Sequence, residues 1–288
     1  MKTSAFLCLA LLLLISVAGC SRQGGAKTGA PGWELRGQIL GVDAERGTLR
    51  VHHEEIPGYM PAMTMDFTAP DAALSSFRDG QRIVARMTEA KPGEFQLEAI
   101  RILDPQKDSD VATAALTLRQ DTHNLGKHAY REVGEAAPKF ALYNQEGAVV
   151  RIDQFRGKRV VLNFIFTRCP VPTMCPAATA KMMALQKEVK AKGLTDVEFI
   201  SISFDTAYDT PPVLKQYATV RGIDTTNYNF LTGPETAIAD LLVQFGVIAN
   251  PNDVFRHTLS TVLIDRDGTI RHRVDGSQWE PSEFLSRL

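Results

Sequence analysis

The sequence predicts two dissimilar folded units in one chain, a small all-β barrel followed by a larger three-layer α/β domain. Three observations carry this expectation. Between residues 33 and 103 the chain offers five short runs of strand character, each bounded by turn signals. From Phe140 onward, runs of strand and helix character alternate instead, which is the pattern of helices packed on both faces of a sheet. Within that part, residues 160–166 (VVLNFIF) are apolar almost without break, as a strand covered on both faces requires. The bulk numbers agree with two units. A chain of 288 residues has room for a leader and roughly two domains. Its composition is 44% hydrophobic and 23% charged with a net charge of -1, so no basic stripe points to nucleic acid and no acidic block to a solvating tail.

Taken in order, the chain opens with Lys2 and an apolar run over 5–17 that is too short to span a bilayer comfortably. Positive end, apolar middle and small residues follow the order of a secretory signal. Val17-Ala18-Gly19-Cys20 also resembles a bacterial lipobox. Residues 1–20 are therefore expected to be a lipoprotein signal with Cys20 lipidated, and 21–33 a flexible tether. This would place the protein outside the cytoplasm, lipid-anchored to a bacterial membrane and facing the periplasm or the cell exterior. The barrel is assigned to 34–104, with strands at 33–42, 47–53, 63–67, 81–87 and 94–103. Asp43 to Arg46, Asp79-Gly80 and Pro92-Gly93 supply breaks between them. Five strands of this length make a small closed barrel of the oligonucleotide/oligosaccharide-binding type, a fold that does not dictate its ligand.

Residues 105–133 read as a polar linker with a short helix at 111–118, and His123 and His128 as solvated side chains. The α/β domain is assigned to 134–288. Its strand at 160–166 leads to a helix over 176–190, a strand over 197–204, and helices over 211–220 and 237–245. A hairpin, 260–264 with 270–274, turns at Arg266-Asp267-Gly268, and 282–288 forms a helical end. The chain contains no internal repeat.

With Cys8 in the signal and Cys20 lipidated, Cys169 and Cys175 are the cysteines left in the folded part. An exported protein sits where a disulfide can form, but one short-loop bridge would do little for a large domain with its own core. Chemistry is the better reading of the pair. Cys175 falls at a helix start ahead of Pro176, where the helix dipole is expected to favour the thiolate and lower its pKa. A dithiol at a strand-to-helix turn is thioredoxin-like in placement. Reducing thioredoxins, however, space their cysteines two residues apart and set a proline before a later strand. Here no proline precedes residues 260–264, and His257 stands just before them. Two thiolates and an imidazole form a good donor set for copper.

At these residues the chain resembles the Sco (SenC-type) family, over roughly 134–288. The resemblance rests on Gly134-Glu135-Ala136-Ala137-Pro138-Lys139-Phe140, Asn163-Phe164-Ile165-Phe166-Thr167-Arg168-Cys169 and Ser201-Ile202-Ser203-Phe204-Asp205. It continues through Asp209-Thr210-Pro211, Arg256-His257-Thr258 and Leu263 to Gly268. It implies a thioredoxin fold that binds copper through Cys169, Cys175 and His257, with Asp205 supporting them or adding a ligand. One departure is the spacing: the family leaves three residues between its cysteines, and this chain has five, two of them prolines. Met174 reads as a packed side chain and His272 as a surface strand residue.

A second soft-metal pattern lies in the barrel. In Met63-Thr64-Met65 the two thioethers share one face of a strand, and thioethers select Cu(I) and Ag(I). Leu49, Val51 and His53 likewise share a face, so His53 is expected inside the barrel and His52 outside. Methionine is also a common core filler, and the nearby histidine argues against that use alone. Residues 37–104 resemble the CusF-like periplasmic copper/silver-binding domain, whose pattern is a histidine, an aromatic before a proline, and Met-Thr-Met. The aromatic position is held here by Met60, with Tyr59 beside it, so Met60 becomes a third thioether. Spacing alone would choose His52 as the ligand; parity and the following Ile-Pro choose His53.

Both halves thus point to copper in an exported, tethered protein. The combined expectation is a metallochaperone that binds Cu(I), with Cu(II) an alternative and silver a further ion for the barrel. The Sco resemblance implies delivery to the copper-site subunit of cytochrome c oxidase during assembly, alongside other periplasmic copper carriers or thiol reductases. Two alternatives stay open. One is a thiol:disulfide oxidoreductase acting on copper-site cysteines, with Cys169 and Cys175 as its redox pair. The other is a copper/silver buffer for metal tolerance.

Overall fold

A computed structural model describes residues 32–70, 74–248 and 258–288. The expected lipidation site Cys20 and the expected ligand His257 both lie outside the described residues.

The barrel is built from β1 (Gly32–Asp43), β2 (Thr48–His53), β3 (Met63–Thr68), β4 (Arg82–Lys91) and β5 (Glu94–Ile102), joined in the ring β1-β2-β3-β5-β4 with β4 returning to β1. All pairings are antiparallel except β3 with β5, a parallel join through Thr68 and Gln96. Alternation drives the closure. Leu35 and Ile39, Leu49 and Val51, Phe67, and Ile83, Ala85 and Met87 all turn inward and are buried; their neighbours on β1 and β2 are exposed or, at Thr48, half-buried, whereas on β4 Val84 and Thr88 are buried as well.

The helix expected at 111–118 in the connector is longer, running over 21 residues as α1 (Pro105–Leu125). The Asp104 side chain caps it by accepting from the Gln106 and Lys107 amides, with Pro105 in the first turn. Its few apolar side chains do the docking, for Val111 and Leu118 are buried and Leu118 joins the core of the following domain.

That domain holds a seven-stranded mixed sheet in the order β12-β11-β8-β9-β10-β6-β7. The strands are β6 (Ala141–Asn144), β7 (Val149–Arg151), β8 (Arg159–Ile165), β9 (Val197–Ser203), β10 (Tyr228–Thr232), β11 (Ser260–Ile264) and β12 (Ile270–Asp275). Helices α2 (Cys175–Ala191), α3 (Pro211–Val220), α4 (Glu235–Gln244) and α5 (Pro281–Leu285) complete it. Every residue of β8 and β9 is buried, as the apolar run requires. The β8-α2-β9 unit is parallel, and the antiparallel β11-β12 hairpin followed by α5 extends the sheet on the other side of β8. This is the thioredoxin-like arrangement, with α1 and β6-β7 added around it.

Candidate metal centres

In the barrel, the pairing of β2 with β3 sets His53 opposite Met63, Val51 opposite Met65 and Leu49 opposite Phe67. His53 is fully buried, while Met63 is exposed and Met65 half-buried against the barrel core. The three candidate donors therefore climb from the core to the rim on one inward face. His52 pairs with Thr64 on the other face, where its Nδ1 lies 2.9 Å from the Thr64 hydroxyl. Close approach of β1 and β2 needs Gly37, because a Cβ there would fall 2.6 Å from the His52 carbonyl oxygen.

The tautomer of His53 follows from its contacts. Its Nδ1 lies 2.7 Å from the Glu54 carbonyl oxygen, which can only accept, so Nδ1 carries the proton. Nε2 is then a bare lone pair, and it is buried without a hydrogen-bond partner. An orphaned acceptor in an apolar setting is costly unless something occupies it. Fixing one ring nitrogen on a carbonyl so that the other is free to coordinate is how proteins orient metal-binding histidines. The residues present thus fit a soft ion held by one imidazole and thioethers. Met60 is half-buried against the same core, and its carbonyl closes a bridge with the Ile56 amide. Tyr59 does not face Met60's core contacts alone: it stacks on Trp33 with ring centroids 3.8 Å apart and meets Phe95 edge-on. Trp33, unremarked in the sequence, anchors the turn that carries Met60.

In the α/β domain, Cys169 and Cys175 are both buried free thiols. Cys169 ends the turn after β8, where its thiol points at the Val171 carbonyl oxygen 3.8 Å away. Cys175 is the first residue of α2. The expected lowering of its pKa is not found. Burial pushes the Cys175 thiol up, the adjacent Cys169 thiol adds to this, and backbone hydrogen bonds at Phe166 and Cys175 do not offset it. The helix terminus is present, but desolvation outweighs it. The Cys175 thiol keeps its proton until something displaces it, as a soft metal ion does.

Two carboxylates brace the turn. Asp205 is buried and accepts from Arg168 Nε and Nη2 at 2.9 and 2.7 Å, so its charge is already neutralised one residue before Cys169. The Arg168 guanidinium also lies 4.3 Å from the Tyr208 ring. Asp209, fully buried, accepts from the Thr167 amide at 2.9 Å and from the hydroxyls of Thr167 and Ser203. Burial pushes its carboxyl up to about 6. Asp209 was quoted in the sequence only as part of Asp-Thr-Pro; its grip on the turn depends on a fold that brings residues 167 and 209 together. Met174 packs against the core as expected. His272 differs from expectation, being half-buried with Nε2 3.0 Å from Glu283 and its ring edge-on to Phe284. Among the described residues, no three His, Cys, Asp or Glu side chains cluster as a metal site would need. The barrel set relies on thioethers, and the dithiol's third expected partner, His257, lies outside those residues. Thr258, the described residue next to His257 in sequence, donates its amide to the Ile248 carbonyl at 2.6 Å.

Comparison with known proteins decides the family. Residues 128–288 match the SCO1/SenC family model, more than half of the chain. The chain belongs to the SCO1/SenC family. Residues 33–102 separately match the model of the copper binding periplasmic protein CusF. Among curated relatives of the SCO1/SenC part, the SCO1 protein homolog of Bacillus subtilis is 33% identical over 151 residues, 51% of this chain and 77% of the relative. A SCO2-like protein of Rickettsia typhi is 32% identical over 164 residues, 54% of this chain and 76% of the relative. The thiol-disulfide oxidoreductase ResA of Bacillus cereus is 27% identical over 167 residues, 57% and 83% of the two chains. Among solved structures, a SCO1/SenC family lipoprotein from Bacillus anthracis aligns at 31% identity with a TM-score of 0.48, covering 55% of this chain and 95% of that one. Among the described residues no helix is long and apolar enough to cross a membrane.

Proposed function

We propose that the protein is a copper chaperone of the bacterial cell envelope. In this reading the barrel receives Cu(I) at His53, Met63 and Met65, with Met60 as a further thioether, and the α/β domain delivers it through Cys169, Cys175 and His257. The recipient is the binuclear copper site of cytochrome c oxidase during assembly. Lipidation at Cys20 would keep both sites at the membrane surface, and the domains divide at 34–104 and 134–288. The observation that supports it most is the buried, partnerless Nε2 of His53 opposite Met63, in the same chain as a buried free dithiol. Burial in the core accounts for packing of the two cysteines but leaves the His53 Nε2 lone pair without a use, and imidazole and thiol together are donors suited to copper.

Transfer needs only ligand exchange. Cu(I) leaves the neutral imidazole and thioether donors of the barrel for two thiolates and the His257 imidazole, and the thiol protons leave as the sulfurs coordinate. The raised Cys175 pKa favours a protonated Cys175 thiol between deliveries. Thioethers also take Ag(I), so the barrel would bind silver. The second reading, a thiol-disulfide oxidoreductase, gains from the likeness to ResA. A thiol whose pKa is raised by burial is, however, a weak nucleophile.

Deleting the gene and restoring it with variants separates the readings. The chaperone reading expects loss of cytochrome c oxidase activity, rescued by added copper and by the wild-type gene but not by Cys169→Ser/Cys175→Ser. Intact oxidase activity with heightened copper and silver sensitivity would replace it with the buffering reading. Rescue by an added thiol reductant, and not by copper, would replace it with the oxidoreductase reading.

A further inference from the structure

Among the described residues, Ala99 is the one residue other than glycine with a positive φ, 49°. It lies in β5 where the register with β4 shifts between Val84 and Arg86. A bulge of this kind takes one residue out of the ladder and re-aims its polar groups. The Ala99 amide, freed from the barrel, donates to the Ala207 carbonyl of the α/β domain at 2.9 Å. A strained backbone angle persists only where surrounding contacts hold it, and this hydrogen bond is such a contact.

Ala207 sits at the tip of the turn that braces the dithiol. That turn is closed by the Tyr208 and Asp209 amides, which both donate to the Asp205 carbonyl, at 3.0 and 2.8 Å. Its two acidic residues hold the two residues before Cys169: Asp205 holds Arg168, and Asp209 holds Thr167. A second anchor lies two residues further along β5. The Arg101 guanidinium donates to Asp108 of α1, which also accepts from the Tyr143 hydroxyl of β6. One barrel strand therefore grips the α/β domain at two points, beside a cleft of about 270 Å³ lined by Ile100, Arg101, Tyr143 and Pro211.

We infer that the barrel is a positioning element for the dithiol. Through the Ala99–Ala207 hydrogen bond it holds the 205–209 turn, and through Asp205 and Asp209 that turn holds the cysteine loop closed. Ala99 is a positioning residue in this arrangement and touches no copper donor. The inference rests on Cys169 and Cys175 being the working pair, but its consequence is read in thiol reactivity and needs no metal.

The test uses the reduced, metal-free full chain and the alkylation rate of Cys169 and Cys175 by iodoacetamide, followed by mass spectrometry. Ala99→Gly keeps the amide and adopts the positive φ without strain, so its rate should stay at the wild-type value. Ala99→Pro loses the amide hydrogen and cannot adopt that angle, so its rate should rise roughly fivefold, as interrupting such a contact chain would produce. A wild-type rate in Ala99→Pro, with the barrel still folded by the His53 ring signals in NMR, overturns the inference. Should proline unfold the barrel, amide exchange in the wild-type chain decides the matter. A strongly protected Ala99 amide supports the latch, and one that exchanges like an open loop overturns it. Failure to bind copper would leave either outcome readable.

Discussion

At the scale of single residues, two positions outside the expected copper-donor set brace the two candidate centres. Gly37 is the first. A Cβ there would lie 2.6 Å from the His52 carbonyl oxygen, 2.7 Å from Val51 Cγ1 and 2.9 Å from His53 Cα, contacts that backbone atoms cannot yield to. Gly37→Ala should therefore push β2 away, cost about 1–3 kcal/mol of barrel stability and weaken silver binding by the barrel. Competition titration with Ag(I), in a Cys169→Ser/Cys175→Ser background, measures the second effect directly. Unchanged affinity would show that the position of His53 is not set by this close approach. Asp209 is the second. Its carboxyl titrates at about 6 in the folded chain, against an ordinary 3.8, because burial penalises the charge. The folded state thus holds this proton more tightly than the unfolded state. Its contribution is fully present below 3.8 and is lost as pH rises through about 6. Urea unfolding at pH 4, 5 and 6 should show wild type losing about 2 kcal/mol relative to Asp209→Asn. Parallel profiles would contradict the assignment.

At the scale of elements, α1 shows best what the sequence hides. Its stretch is polar, and its buried Val111 and Leu118 stand seven residues apart, so no apolar stripe announces more than a short helix. What fixes its length is the Asp104 cap at one end and docking on the α/β domain, where Arg119 reaches Asp240 at 2.6 Å. Only the fold supplies those partners. Leu118→Ala should cost about 2–5 kcal/mol and lower the melting temperature of the α/β domain, as calorimetry would register; a loss within error would mean that α1 is a passive connector. Trp33 acts similarly in the barrel. Trp33→Ala should loosen the turn carrying Tyr59 and Met60 and weaken silver binding several-fold without removing a donor. The strands of the barrel were legible because turn residues separate them and alternation sorts their faces, which also chose His53 over His52. Strand β10 is hard to read in the sequence because it is only five residues long, follows a polar loop, and its alternation stops after Phe230. The pKa of Cys175 was misread because a helix start is visible in sequence, whereas the burial that outweighs it is not.

At the scale of the whole molecule, the chain joins two units of different fold that carry the same class of donor. Soft sulfur and imidazole groups were readable in both because their residue types and spacings are local. How the units meet was not readable: the bulge at Ala99 is an alanine among ordinary strand residues, and its partner lies more than a hundred positions away. The SCO1/SenC membership and the CusF match fit an envelope protein with two copper stations, one rich in thioethers and one in thiols. An anaerobic Cu(I) titration of the reduced, lipid-free chain against a chromophoric competitor tests that account most directly. It predicts two tight equivalents, with one left in Cys169→Ser/Cys175→Ser and one left in His53→Ala. A single equivalent in the wild type that survives the double serine variant would contradict it, leaving the barrel as the copper site and the dithiol as a redox pair.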